Sequence, residues 1–150
     1  MFTTDRLRLR AIRATDENDF LEMWNDPVLM ARLASLYLAP KAKSFFEWYN
    51  KTLVEPAVFH VVIELKDTSE FVGDCMLKAL RTPKERDAGF GICIKQKFWN
   101  KGYGTEATRF VVDHAFHWLG MHRVSLNVYE NNPGAIEAYK RRYEPALLLF

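Results

Sequence analysis

Two glycines separated by one residue, Gly102 and Gly104, lie between an apolar run that ends at Lys95 and a helical pattern that begins near Thr105. Glycine tolerates positive φ angles and lets backbone N–H groups approach a ligand closely. The N-terminus of a helix adds unpaired N–H donors and a partial positive charge. The loop from Lys101 to Thr105 therefore predicts an anion site suited to phosphate or pyrophosphate, with a plain tight turn as the alternative.

The glycine loop does not fit the two best-known phosphate-binding patterns. The ATP and GTP loop requires G-x-x-x-x-G-K-[ST], and this string is absent from the sequence. The dinucleotide fingerprint requires G-x-G-x-x-G, but Ala107 occupies its third position. That fingerprint also belongs after the first strand of a doubly wound sheet, whereas this loop comes late in the chain. Nicotinamide and flavin chemistry are therefore disfavoured.

A second motif follows the glycine loop after one predicted helix and one predicted strand. It places Asn132, Ala135 and Tyr139 at the spacing N-x-x-[AS]-x-x-x-Y. Together with the loop Trp99–Gly104, it resembles the GNAT acetyltransferase superfamily, whose pyrophosphate loop reads [QR]-x-x-G-x-[GA]. Tryptophan at the first loop position is similar to the subgroup that includes ribosomal-protein alanine N-acetyltransferases. The strings TDRLRLR from Thr4, FVGD from Phe71 and GYGTEA from Gly102 also resemble that subgroup.

The resemblance implies that acetyl-CoA lies between two parallel strands that splay apart, here Ala88 to Lys95 and His122 to Tyr129. The pantetheine arm would pair with a strand edge, and loop amides would hold the pyrophosphate. An amine would attack the thioester directly, with Tyr139 as general acid to the CoA thiolate. Asn132 would bond the cofactor or cap the last helix. The implied cofactor-binding residues are Ile92, Cys93, Ile94, Trp99, Asn100, Lys101, Gly102, Tyr103, Gly104, Thr105, Asn132, Ala135 and Tyr139.

The general base is the first departure from the family pattern. Many subgroup members have a glutamate in an Ala-Glu-hydrophobic-Gly string, and Gly89 stands at that position here. Asp87 is the predicted general base in its place, with Glu85 and Asp74 as alternatives and a structural role open for each. Deprotonation at pH 7 costs about 1.4 kcal/mol for an α-amine of pKa ~8 and about 4.6 kcal/mol for a lysine. A site without a strong base therefore favours a protein N-terminus or a small-molecule amine as acceptor.

The elements that must position these residues fall into two halves. Alternation over Arg6–Arg10 predicts a strand with its leucines inward and its arginines outward, and Phe59–Leu65 and Phe71–Leu80 predict a hairpin. One helix is predicted to stop at Asp26-Pro27, and another runs from about Pro40 to Val54. The later half reads strand, glycine turn, helix, strand, helix, which is typical of a right-handed parallel crossover. The fold class is therefore α/β (α+β), a mixed and largely antiparallel sheet with a splayed parallel pair and helices on both faces.

The helix after the glycine loop has the clearest pattern. Its apolar face is predicted to carry Ala107, Phe110, Val111, Ala115 and Trp118, and Gly120 suits its C-terminal end. Cys93 lacks a neighbouring His–acid constellation, so it reads as a buried strand cysteine rather than a nucleophile. The four histidines show no spacing for a metal site. Trp24, Trp48 and Tyr49 are predicted to pack in the core, with an acceptor pocket as the alternative.

Composition excludes several other classes of protein. Hydrophobic residues make up 49% and charged residues 27% of the 150 residues, which is typical of one globular domain, predicted here as 1–150. A net charge of +2 gives no support to nucleic-acid binding. No apolar run reaches the ~18 residues of a membrane span. With no signal peptide and no disulfide framework, we expect a cytoplasmic protein.

The C-terminus is the second departure from the family pattern. The family continues after the tyrosine with further strands, whereas this chain reads KRRYEP from Lys140 and ends at Phe150. The predicted C-terminal strands are therefore shortened or absent. The apolar run Leu147–Phe150 must be buried, either on its own sheet or in a homodimer. The alternative function is a non-catalytic acyl-CoA-binding protein or a truncated, impaired acetyltransferase.

Overall fold

A computed structural model describes residues 1–33, 39–80 and 82–143 of the chain. These residues form six strands and five α-helices. The strands are β1 Phe2–Thr3, β2 Leu7–Arg10, β3 Phe59–Leu65, β4 Phe71–Ala79, β5 Asp87–Ile94 and β6 Arg123–Ser125. The helices are α1 Glu17–Trp24, α2 Pro27–Arg32, α3 Lys43–Tyr49, α4 Tyr103–His117 and α5 Pro133–Tyr143, and a π-helical turn, Asn50–Val54, follows α3.

The six strands form one sheet in sequence order, β1 to β6. All neighbours are antiparallel except β5 and β6, which are parallel. The predicted mixed sheet with one parallel pair is therefore confirmed. The hairpin β3–β4 is also confirmed, while β1 was not predicted because two residues carry no periodic signal.

Helices cover both faces of this sheet, as predicted. On one face α4 buries Ala107, Val111 and Ala115 completely against Leu7, Leu9 and their neighbours. On the other face α1, α2 and α3 enclose a second cluster, which we call the acceptor-side layer. Its buried members are Phe20, Met23, Leu29, Met30, Phe46, Tyr49, Val62, Phe71 and Cys93.

Of two local predictions for the first half of the chain, the helix stop at Asp26-Pro27 is confirmed, because α1 ends at Trp24, and the outward direction of Arg10 is wrong. Asp26-Pro27 does not only stop a helix, because Asp26 also caps the next one. Its side chain accepts hydrogen bonds from the amides of Val28 and Leu29, and Pro27 occupies the first turn of α2, where a proline is favourable. Arg10 does not point to solvent but is 6% exposed, because it forms ion pairs inside the protein with Glu64 and Asp16.

Two predictions for the second half also need correction. Trp118 does not join the apolar face of α4 and is 80% exposed, because the helix ends at His117. Gly120 follows with a φ of +63°, which is the left-handed conformation expected at a helix end. The strand predicted over His122–Tyr129 is reduced to Arg123–Ser125, because its partner strand diverges beyond that point.

Several predictions concern residues outside the described ranges. The C-terminal strands and the apolar run Leu147–Phe150 lie there, so neither they nor the homodimer can be compared with the fold. That residues 1–150 form a single domain likewise stays a prediction. Within residues 1–33, 39–80 and 82–143, no helix combines the length and the apolar character needed to span a bilayer.

Candidate active site

The parallel strands β5 and β6 separate soon after they meet. They pair only from Asp87 to Gly89 and from Arg123 to Ser125, although β5 continues to Ile94. Residues 126–129 belong to no strand. The second half of β5 therefore has β4 on one side and an unpaired edge on the other, which is the splayed pair expected from the sequence.

Alternation of hydrogen bonds along β5 shows which backbone groups face this free edge. Leu80 donates to the carbonyl of Asp87, and Lys95 donates to that of Val72, so odd-numbered residues of β5 face β4. Even-numbered residues face away from β4, which places Phe90, Ile92 and Ile94 on the free edge. The prediction for Ile92 and Ile94 agrees with this pattern. Cys93 faces β4 with its backbone, and Phe90, which sequence reasoning missed, takes its place on the edge.

The glycine loop is held open by its backbone conformation. Gly102 has a φ of +81°, and Asn100 has a φ of +59°, so both adopt the left-handed conformation. Gly102 stands at the N-cap of α4 and has no side chain to cap the helix. The first amide N–H groups of α4 are thereby left for a ligand, beside the exposed Lys101. Gly104 and Thr105 lie in this first turn and are half-buried.

Two aromatic residues of the loop have structural roles. The Trp99 indole N–H donates to the Ile94 carbonyl over 2.8 Å, which fixes the loop to the end of β5. The guanidinium of Arg32 lies 4.3 Å from the centre of a Trp99 ring. The Tyr103 ring packs on the core beside Phe98. Cofactor binding by Trp99 and Tyr103 stays a prediction, and their side chains are seen to contact the protein and to position the loop.

The N-terminal segment anchors the same loop through an interaction that sequence reasoning missed. Glu106, in the first turn of α4, accepts hydrogen bonds from the Thr4 hydroxyl, the Arg6 amide and the Arg6 guanidinium at 2.6–2.8 Å. Arg6 also donates to the Lys101 carbonyl. Burial raises the pKa of Glu106, but these hydrogen bonds outweigh it and leave that pKa below its ordinary value. The sequence did contain a signal for this contact. The strings TDRLRLR, which holds Thr4 and Arg6, and GYGTEA, which holds Glu106, resemble the same subgroup.

The second motif forms the start of α5. The Asn132 side chain accepts from the Ala135 amide over 3.2 Å, so of the two roles left open for Asn132 the helix cap is observed. Ala135 and Tyr139 lie one helical turn apart on the same side of α5, and both are half-buried. Asn131 donates to the Ala31 carbonyl and thereby joins the segment before α5 to α2.

Asp87 lies at the paired end of β5, on the face that carries Gly89, Gly91 and Cys93. Its buried carboxylate accepts from the Arg123 Nε over 3.0 Å and also contacts Nη2 of the same residue. This hydrogen bond and the Asp87 charge raise the pKa of Arg123. Asp87 is therefore held two residues before the position of the missing glutamate and is not brought next to the glycine loop.

Cys93 is 7% exposed in the acceptor-side layer. Burial, together with the nearby Asp74 charge, raises the pKa of its thiol well above the ordinary value, so the thiolate form is disfavoured. Cys75 lies on the opposite face of the sheet. Within the described part of the chain, no cluster of three His, Cys, Asp or Glu side chains suits a metal ion.

The geometry fits the CoA ester that the resemblance implies. An open strand edge can pair with the amides of a pantetheine arm, and the uncapped N-terminus of α4 can accept a pyrophosphate. A Cβ at Gly102 would meet Arg6 Nη2 at 3.1 Å, so a residue larger than glycine would press against the Arg6 side chain beside the loop. The free edge and the loop adjoin, since the loop follows directly from β5.

Comparison with known proteins agrees with this geometry. Residues 6–142 match the acetyltransferase (GNAT) domain family. The chain is 31% identical to the uncharacterized N-acetyltransferase YoaA of Bacillus subtilis, over 86% of this chain and 73% of that protein. It is 25% identical to the L-amino acid N-acetyltransferase AaaT of Escherichia coli, over 63% of this chain and 57% of that protein.

A solved structure has the same fold. The spermidine N-acetyltransferase of Vibrio cholerae, in complex with CoA and spermine, superposes with a TM-score of 0.79. Its identity with this chain is 24%, and the match covers 92% of this chain and 80% of that one. The residues that match the family include both β5 and the glycine loop. The splayed strands and the open helix end therefore belong to the matched domain. The chain belongs to the GNAT acetyltransferase family and is an N-acetyltransferase with acetyl-CoA as its acetyl donor.

Proposed function

We propose that this enzyme transfers the acetyl group of acetyl-CoA to a primary amine, either a protein N-terminus or a small-molecule amine. The observation that carries the proposal is the unpaired edge of β5, which leads directly into the open N-terminus of α4. The edge amides of Phe90, Ile92 and Ile94 would bind the pantetheine arm. The amides from Asn100 to Thr105 would bind the pyrophosphate, with Lys101 supplying positive charge.

The amine would attack the thioester carbonyl directly. The developing negative charge on the carbonyl oxygen would be stabilised by a backbone N–H of the β5 edge. Tyr139 would give its hydroxyl proton to the departing sulfur, since a phenol of pKa ~10 can protonate a thiolate at short range. Ala135 would leave room beside Tyr139 on the same side of α5, and Asn132 would hold that helix in place.

The acceptor's proton needs a destination, and Asp87 is the candidate that the sequence offers. Its ion pair with Arg123 weakens that assignment, because both of its oxygens are already engaged. The relatives are compatible with two acceptor classes, since one is named for L-amino acids and one was crystallised with spermine. The similarity to ribosomal-protein N-acetyltransferases adds the protein N-terminus as a third.

Three basic residues in the second half of the chain are engaged in ion pairs. Lys95 binds Asp19 and Glu22, Lys97 binds Glu70, and Arg141 binds Glu137. Lys97 and Arg141 are exposed and Lys95 is buried, and none of the three is an unpaired charge for the phosphates. A cytoplasmic location, the absence of nucleic-acid partners and the homodimer stay predictions, and sedimentation velocity at several concentrations tests the last of them.

The experiment that tests the proposal is incubation with acetyl-CoA and a panel of amines, amino acids and N-terminal peptides. Mass spectrometry should detect a product heavier by one acetyl group, formed with release of CoA. Calorimetry should show that CoA binds in the absence of any amine. Binding without acetylation of any panel member would favour the acyl-CoA-binding alternative, and absence of CoA binding would contradict both.

A further inference from the structure

A buried polar cluster in the acceptor-side layer is not used by the proposed mechanism. Asp74 on β4 accepts a hydrogen bond from the Tyr49 hydroxyl over 2.7 Å. The same carboxylate oxygen lies 2.9 Å from the His60 Nε2 on β3. The side chains of Asp74 and His60 are only 2% and 3% exposed. A carboxylate, an imidazole and a phenol are thus joined by hydrogen bonds inside this layer.

The hydrogen bonds fix which groups donate. Burial and the negative charge of Asp74 raise the pKa of Tyr49 far above its ordinary value, so its hydroxyl keeps the proton and donates it. An Asp74 carboxylate can only accept, and in that arrangement Nε2 of His60 is the donor. In the neutral ring the lone pair then lies on Nδ1. Asp74 therefore orients the imidazole with its proton-accepting nitrogen turned away from the carboxylate.

That nitrogen has no partner. His60 Nδ1 and Asp74 Oδ1 are both buried and form no hydrogen bond with the described residues. The Asn50 Oδ1 and Trp24 Nε1 atoms are unpartnered in the same way, and both residues border Tyr49. Buried polar atoms of this kind in native proteins are normally bridged by water. The layer thus holds several groups that can organise water beside His60.

The register of the sheet leads from His60 to the free edge. His60 pairs with Met76, and Met76 pairs with Gly91, so the three form one row across β3, β4 and β5. A Cβ built on Gly91 would meet only the Met76 side chain, at 3.9 Å, so the end of this row is open. Gly91 lies between Phe90 and Ile92 on the strand. Two strand spacings, about 10 Å, separate the β3 and β5 backbones along this row.

We propose that His60, oriented by Asp74, accepts the proton that the acceptor ammonium loses before attack, through water that lies over Gly91. The idea rests on the proposed function. The ammonium N–H bond breaks, the proton passes through water to the Nδ1 lone pair, and the imidazolium is stabilised by Asp74. The freed nitrogen lone pair forms the C–N bond as the C–S bond breaks. Sulfur takes a proton from Tyr139, which regains one from the acylated nitrogen, and the imidazolium returns its proton to solvent.

Among the described residues, titratable groups lie beside the imidazole and farther along the same layer. They are Asp74 on β4, Tyr49 on α3 and, farther along the layer, Cys93 on β5 and Asp26 before α2. Burial raises the pKa of Cys93, which keeps its thiol protonated. Asp74 is thus the charged group that holds the ring, and Tyr49 and Asp74 act as positioning residues.

The test compares wild type with His60→Gln, using whichever amine the panel identifies. At neutral pH the variant should lose kcat/KM on the order of 10²-fold, the usual size of a general-base contribution. The loss should shrink as pH rises past the pKa of the acceptor amine, because a neutral amine needs no base. Asp74→Asn should show the same convergence and replaces His60→Gln should that variant not fold. CoA affinity, measured by calorimetry, should be unchanged in both.

Val62→Ala is the matched control, since Val62 is fully buried beside Asp74 and cannot titrate. Its ratio to wild type should not vary with pH. A ratio for His60→Gln that is equally constant, or a variant as active as wild type, overturns the proposal. Wild type that acetylates no amine would instead contradict the proposed function, so the two failures are distinguishable.

Discussion

Single side chains differ in how firmly their surroundings fix a chemical role. Tyr139 stands one turn after Ala135 on the half-buried side of α5, where a hydroxyl can meet both protein and ligand. Asn132 is bound to the Ala135 amide, so it acts on the site through the position of the helix. Arg6 and Glu106 tie the N-terminus to the glycine loop.

Replacement of Tyr139 by phenylalanine tests its role as general acid. Tyr139→Phe should lower kcat about 10²-fold and leave CoA affinity nearly unchanged, because only the proton donor is removed. Steady-state kinetics and calorimetry measure the two quantities. Trp118→Phe is the control, since Trp118 is 80% exposed and should retain full activity. Equal kcat in both variants would remove Tyr139 from the mechanism.

The sequence predicts residues well where one type satisfies a local rule. Glycine at a left-handed position and asparagine at a helix start are of this kind, and the resemblance to a family identified the second of these motifs. Arg10 could not be predicted, since strict alternation gives the face of a residue but not its partner. Two carboxylates distant in sequence, Glu64 and Asp16, make its burial favourable. The contact between Glu106 and Arg6, 100 residues apart, was hidden for the same reason.

At the scale of elements, the turn between β5 and α4 is constrained by one glycine more than by the other. Gly102 has a φ of +81°, and a Cβ there would meet Arg6 at 3.1 Å. Gly104 lies inside α4, and its Cβ would meet Ile94 at an ordinary 3.8 Å. The two glycines of one loop therefore differ in what a methyl group would do.

We expect Gly102→Ala to destabilise the protein by about 1–2 kcal/mol, since an L-residue is strained in the left-handed conformation. It should also weaken CoA binding, because the strain moves the loop amides. Gly104→Ala should keep or raise stability, as alanine favours a helix by roughly 0.5–1 kcal/mol over glycine. Urea unfolding and calorimetry distinguish the two variants. Equal losses in both would show that space, rather than backbone conformation, is what the loop requires.

Long elements were predicted well from the sequence, and short elements were not. The 15 residues of α4 repeat their apolar face four times, whereas β1 has two residues and α2 has six. The predicted strand after α4 was too long, because its apolar alternation continues after β6 leaves β5. Alternation of apolar residues indicates which side chains are buried, but it does not indicate where backbone pairing ends. The free edge that carries the proposed function is therefore a tertiary feature.

At the scale of the whole molecule, one buried ion-pair network joins the sheet to the helices of the acceptor-side layer. Arg10 on β2 binds Glu64 on β3 at 2.5 Å and binds both oxygens of Asp16, just before α1, at 2.8–2.9 Å. All three side chains are at most 7% exposed. The Arg13 amide donates to the same Asp16 carboxylate. Removing one member of such a network leaves a buried charge without its partner, which is costly.

Burial alone would raise the pKa of Asp16, but hydrogen bonds from Arg10 and from the Arg13 amide outweigh it and lower that pKa below 3.8. The pKa of Glu64 is likewise lowered from 4.5, with burial opposing the hydrogen bonds of Arg8 and Arg10. A carboxyl whose pKa is lower in the folded state stabilises the fold above its unfolded pKa. That stabilisation is lost as pH falls through the folded value.

Asp16→Asn should therefore lower the free energy of unfolding at pH 7 by about 3 kcal/mol, since Arg10 loses one of its two anionic partners. The difference from wild type should shrink as pH falls below about 4, where the wild-type carboxyl also becomes neutral. Urea unfolding between neutral and acidic pH measures both effects. Arg141→Gln, which removes an exposed pair with Glu137, should cost less than about 0.5 kcal/mol at every pH. A difference for Asp16→Asn that persists unchanged at low pH would contradict this prediction. It would mean that the shape of the Asp16 side chain, and not its charge, allows the network to join the sheet to the helices.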